Sequence, residues 1–158
     1  MSSSLKDLYQ DIILDHSRNP KNFGLLEEYD RKANGTNPLC GDKVQVYLKL
    51  NKDKKIEKLT FEGSGCAISI ASTSIMTELV KGKSPETTKK IVNSFLNMIK
   101  NADEIKSEDL DNDQITKIMS LSGVKQYPMR VKCATLAWHT LTFAMDGKKE
   151  EVNTEAVD

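Results

Sequence analysis

The sequence predicts an α+β fold in which a small antiparallel sheet of about three strands comes first and helices follow. Between Lys43 and Glu62 apolar residues recur at every second position, the spacing of half-buried strands. Beyond Gly65 they recur at every third and fourth position, the spacing of helices. With 158 residues, 38% apolar and 29% charged, the chain is bounded to one domain with a core of ordinary size. Residues 1–147 are expected to form that domain, and the polar tail over 148–158 is expected to fray.

Each element has its own signal. Ser4 and Asp7 resemble a capping box ahead of Leu5, Leu8, Tyr9, Ile12 and Ile13, and Asn19-Pro20 ends that helix near Arg18. Residues 20–42 are rich in turn formers, with an edge strand allowed near Arg31–Gly35. Val44, Val46, Leu48 and Leu50 mark one strand, Leu59 and Phe61 the next, and the short link predicts a hairpin. The lysines crowded there read as a solvated edge. A helix is predicted over Ala67–Lys81, closed by Gly82, and Ser84-Pro85 opens another. Residues 101–114 hold six acids and one lysine and read as a solvated connection or a short amphipathic piece. Ile115, Ile118, Met119 and Leu121 mark a short helix ending at Gly123, and the last helix is predicted from Pro128 to Gly147.

Charge narrows the function. Lys plus Arg and Asp plus Glu both number 23, giving zero net charge, which argues against nucleic acid as a partner. No apolar run suits a membrane helix, and the first residues lack the core of a signal peptide, so a cytoplasmic location is expected. Three cysteines fit reduced thiols better than a disulfide framework.

The chemistry-bearing residues are Cys40-Gly41-Asp42, Cys66 and Cys133. Each cysteine stands at or near a junction between elements, where function concentrates. Cys66 and Cys133 fall early in helices, a position that favours thiolate. Three thiolates and one carboxylate suit a tetrahedral borderline-soft ion, zinc best. The bland alternative is three buried small side chains, and no pair has Cys-x-x-Cys spacing. His139 is turned about 120° away from Cys133 on a helix, and His16 reads as a surface residue. Arg130 shares a helical face with Cys133, where it would steady a thiolate, dock a partner's carboxylate or simply be solvated. Gly82-Lys83-Ser84 mimics a phosphate loop, but Thr77 stands where that motif needs glycine.

At these residues the chain resembles the SufU-type members of the IscU/NifU N-terminal-domain family of iron–sulfur cluster assembly. The resemblance lies in Asn37-Pro38-Leu39-Cys40-Gly41-Asp42, in Phe61-Glu62-Gly63-Ser64-Gly65-Cys66-Ala67-Ile68-Ser69, and in Arg130-Val131-Lys132-Cys133-Ala134-Thr135-Leu136-Ala137-Trp138. It runs through nearly the whole chain. Scaffold-type members carry a histidine where this chain has Lys132, and the long interval from Cys66 to Cys133 is also SufU-like. The resemblance implies helices on one face of the sheet and Zn²⁺ held by Cys40, Asp42, Cys66 and Cys133. It further implies that Cys40 accepts persulfide sulfur from a PLP-dependent cysteine desulfurase of the SufS type, whose histidine takes over the vacated metal position. The sulfur would pass to a downstream iron–sulfur scaffold complex.

Three readings follow. The first is a zinc-dependent sulfurtransferase with Cys40 as nucleophile and Arg130 as a docking residue. The second is a scaffold holding iron or a [2Fe–2S] cluster on the same ligands. The third is a non-catalytic domain with purely structural zinc.

Overall fold

The computed structural model describes residues 4–156 apart from 102, 103 and 106. Helix α1 (Leu5–Arg18) leads into a hairpin of β1 (Arg31–Asn37) and β2 (Asp42–Leu50), and β3 (Ile56–Ser64) follows. Helices α2 (Ala67–Val80), α3 (Pro85–Asn101) and α4 (Asn112–Met119) come next. A 3₁₀ turn (Ser122–Gln126) then leads to α5 (Pro128–Met145) and β4 (Val152–Asn153). The sheet order is β3-β2-β1-β4. The first three strands pair antiparallel, and β4 runs parallel to β1. Among the described residues, no helix is long and apolar enough to cross a membrane.

The predicted alternation sets the core. Val44, Val46 and Leu48 of β2 and Leu59 and Phe61 of β3 are buried. They join Ile75, Met76 and Leu79 of α2 and Leu136, Ala137 and Leu141 of α5 in one apolar cluster. Trp138 stacks on Phe95 of α3 with ring centroids 4.2 Å apart. Its indole N–H donates to Ser72 Oγ at 2.9 Å, so the largest core side chain leaves no polar atom unpaired. Gly35 lets α5 approach β1 closely, because a Cβ there would overlap Thr140 Oγ1 and Leu136 Cδ1. Tyr47 lies in the opposite phase of β2 yet is also buried. Tyr29 covers it, and its hydroxyl donates to Glu62 at 2.8 Å.

Two expectations are corrected here. His16 is a core residue, only 3% exposed, not a surface one. It continues the Ile12/Ile13 stripe by one turn, and Ser74 of α2 meets its Nδ1 at 2.7 Å. The tail is not frayed over 152–154, because Val152 and Thr154 are buried against β1. The Thr154 N–H donates to the Thr36 carbonyl, satisfying an edge that β1 would otherwise expose. Within 101–114 the amphipathic alternative holds: Ile105 and Leu110 join the core, and α4 begins inside the acidic stretch on an Asp111–Gln114 capping box. Part of that predicted connection (residues 102, 103 and 106) lies outside the described residues.

Burial lowers the pKa of His16 from 6.5, against the upward pull of Glu78 and Asp15 and with the help of Lys117 and Lys21. The unfolded imidazole gains its proton near pH 6.5, whereas the folded one gains it only at lower pH. The stability that His16 contributes is therefore full above pH 6.5 and lost as pH falls through its folded pKa. Thermal melts should show a steeper loss between pH 7 and 5 for the parent than for His16→Gln. Equal slopes would assign the acid sensitivity elsewhere.

Candidate metal centre

The site is assembled where the β1–β2 hairpin turns beneath α2 and α5. Asn37 and Asp42 are direct partners across the hairpin, and residues 38–41 form the turn between them. The Cys40 N–H closes that turn on the Asn37 carbonyl at 3.3 Å, and Gly41 takes φ +73°, which suits glycine. Cys40 is thereby left exposed at the hairpin tip. Asp42, two residues on, is fully buried.

Two N–H donors meet the Asp42 carboxylate. Asn37 Nδ2–H donates to Oδ2 at 3.0 Å, and the Cys66 N–H donates to Oδ1 at 3.0 Å. Cys66 is the exposed N-cap of α2, so that bond ties the carboxylate to the start of the helix. Gly65 just before it takes φ +153°, and a Cβ there would overlap Asp42 Oδ1. Cys133 sits on the second turn of α5 and is buried. Its sulfur accepts from Asn37 Nδ2 at 3.4 Å.

Ligand atoms of Cys40, Asp42 and Cys133 all lie within 4.8 Å of one another. Cys66 stands outside that tight group, although its thiol neighbours that of Cys133. Helix position does not make Cys133 acidic as the sequence suggested. Burial pushes its thiol pKa up, and hydrogen bonds with Asp42, Cys40 and Cys66 add to the rise. A cation among these groups would reverse that balance. Sulfur donors beside one carboxylate fit a borderline-soft ion and not magnesium or calcium, so the residues present suit a metal ion.

Arg130 is exposed and lies over the Tyr127 ring, 4.8 Å from its centroid. It lines a cleft of about 850 Å³ with Leu5, Tyr9, Ile13, Ile68 and Tyr127. Lys132 pairs with Glu155 of the C-terminal tail. Asn37 is the site residue that reasoning from the sequence passed over as a ligand-orienting group. Its signal was its place beside the turn, where hairpin register puts it opposite Asp42.

Gly65→Ala should displace the Asp42 carboxylate and weaken metal uptake by about 10- to 100-fold, the usual effect of disturbing ligand support. Competition with a chromophoric chelator measures this. Unchanged affinity would mean that the carboxylate has room to move.

The NifU-like N terminal domain family model matches residues 8–144. The chain is 39% identical over 140 residues to the zinc-dependent sulfurtransferase SufU of Bacillus subtilis, covering 89% of this chain and 90% of that protein. It is 36% identical over 143 residues to the iron–sulfur cluster assembly scaffold protein IscU of Streptococcus pyogenes, covering 90% of this chain and 86% of that protein. A crystal structure of a putative iron–sulfur cluster assembly scaffold protein for the SUF system, from Fervidobacterium islandicum, superposes with a TM-score of 0.75 at 36% identity. That likeness covers 85% of this chain and 94% of the other. By the extent of these matches and the cysteines and aspartate they enclose, the chain belongs to the NifU-like N-terminal domain family.

Proposed function

We propose that the chain is a zinc-dependent acceptor of persulfide sulfur from a PLP-dependent cysteine desulfurase, acting in iron–sulfur cluster assembly. The observation that carries this reading is the contrast between an exposed Cys40 at a hairpin tip and its buried neighbours Asp42 and Cys133. Cys40, Asp42, Cys66 and Cys133 would hold the zinc, which when bound keeps the thiols ionised. The name of the Bacillus subtilis relative supports zinc and sulfur transfer together.

In this reading Cys40 is the nucleophile because it alone of the three joins exposure to a turn between strands. Cys66 caps α2, and Cys133 is enclosed in α5. The Cys40 thiolate attacks the terminal sulfur of the desulfurase persulfide. A new sulfur–sulfur bond forms on Cys40, the donor's sulfur–sulfur bond breaks, and the electron pair leaves on the donor cysteine as thiolate. Arg130, on the cleft beside α5, docks a carboxylate of the partner.

A cluster scaffold is the second reading, supported by the names of the Streptococcus and Fervidobacterium proteins. Lys132 weighs against it, since this side chain is turned to Glu155 and offers no ligand. Purely structural zinc is disfavoured by the Asp42 carboxylate in the ligand set, because structural sites are built from Cys and His.

Cys40→Ser should abolish sulfur acceptance while keeping part of the metal affinity, whereas Cys133→Ser should lose metal and stability together. Each variant is mixed with the cognate desulfurase and radiolabelled cysteine, and bound sulfur is read on a non-reducing gel. Label retained by Cys40→Ser but lost by a zinc-loaded Cys133→Ser would move the acceptor role to Cys133. A red-brown stoichiometric cluster in anaerobically purified protein would favour the scaffold.

Arg130→Ala should keep its zinc yet bind the desulfurase tenfold or more weakly, consistent with about 1.5–3 kcal/mol for a charge-assisted contact. Calorimetric titration checks this, and loss of zinc with normal partner binding would overturn the assignment.

A further inference from the structure

The C-terminal strand has no part in sulfur transfer as described, yet it reaches the centre of the site. Resting on the metal-site reading above, we propose that β4, Thr154 and Glu155 clasp the metal centre from behind. Thr154 holds Asn37, and Asn37 in turn positions Asp42 and Cys133. Both are positioning residues and neither is a ligand.

The argument rests on one side-chain amide. Asn37 is fully buried and Thr154 is 2% exposed, so their polar atoms must find partners within the protein. Thr154 Oγ1–H donates to Asn37 Oδ1 at 2.9 Å. That places the amide hydrogens on the other side, toward Asp42 Oδ2 at 3.0 Å and Cys133 Sγ at 3.4 Å. An amide turned the other way would set its oxygen against the carboxylate and the sulfur, so those two acceptors hold its hydrogens toward them and leave its oxygen for the threonine hydroxyl. The carboxylate and the sulfur therefore set the orientation, and the threonine hydroxyl, by donating to the amide oxygen, satisfies and holds it, so that one side chain supports two candidate ligands from different elements.

The clasp is itself anchored. Val152 is fully buried, β4 pairs with β1 at Gly35 and Thr36, and the Thr154 N–H donates to the Thr36 carbonyl at 3.1 Å. Glu155 pairs with Lys132, the residue directly before Cys133. The tail thus holds β1 and α5, the elements that carry Asn37 and Cys133.

The test compares Thr154→Val, which keeps shape but loses the donor, with Thr154→Ser, which keeps the donor. In the full chain, Thr154→Val should bind zinc about tenfold more weakly and shift the visible bands of the cobalt-substituted protein. Thr154→Ser should match the parent in both. Parent-like affinity and bands in Thr154→Val, or equal impairment of both variants, would overturn the clasp. Normal metal binding with no sulfur transfer would sink the functional proposal alone. If the parent takes up neither zinc nor cobalt, the metal reading fails and the metal-free protein decides the clasp. Iodoacetamide should then modify Cys133 several times faster in Thr154→Val than in the parent or Thr154→Ser, and equal rates would overturn it.

Discussion

The constraint on which the rest depends is the burial of the Asp42 carboxylate. Taking such a group out of water is costly unless donors or opposite charge meet it. Its two oxygens draw their donors from β1, through Asn37, and from the N-cap of α2, through Cys66. The hairpin tip and the start of α2 must therefore meet at one point. Because Asn37 also donates to Cys133, α5 is drawn to the same place. Residues far apart in sequence become neighbours because one buried oxygen pair has to be satisfied.

The helices that deliver the cysteines are built to come close. Helix α2 buries Ser69, Ser72, Thr73, Ser74 and Thr77 along with its apolar residues. Several of these hydroxyls bond within α2 itself: Thr73 donates to the Ser69 carbonyl and Thr77 to that of Ser74. Ser72 instead donates to the Ala134 carbonyl of α5 while accepting from Trp138. Small side chains thus permit tight helix packing, and their polar atoms join the two helices next to Cys133.

Strict periodicity was readable in the sequence. The alternation from Val44 to Leu50 and the stripes of α1, α2 and α3 follow from which side chains must leave water. The grouping of Cys40, Asp42 and Cys133 was suggested by thiols and a carboxylate set at or near the junctions between elements. What escaped had no local signal. Val152 is a single apolar residue in a polar tail, and only the open edge of β1 makes it a strand. His16 looked solvated because its partner Ser74 lies in another helix. Asn37 is a common turn residue, and only the register across the hairpin, with Thr154 behind it, makes it part of the site.

The close approach at Gly35 fixes the height of α5 on the sheet. Gly35 and Asn37 share the inward phase of β1. Thr140 packs on Gly35, and Cys133, which meets Asn37, lies two helical turns earlier, about 10 Å along the axis. The two contacts act like marks on a ruler, one gauging helix position and the other reading it at the sulfur. The Cys-Gly-Asp hairpin is therefore not a portable cassette. Grafted onto another scaffold it would bring its thiol and carboxylate but not the spacing that sets the third donor against them.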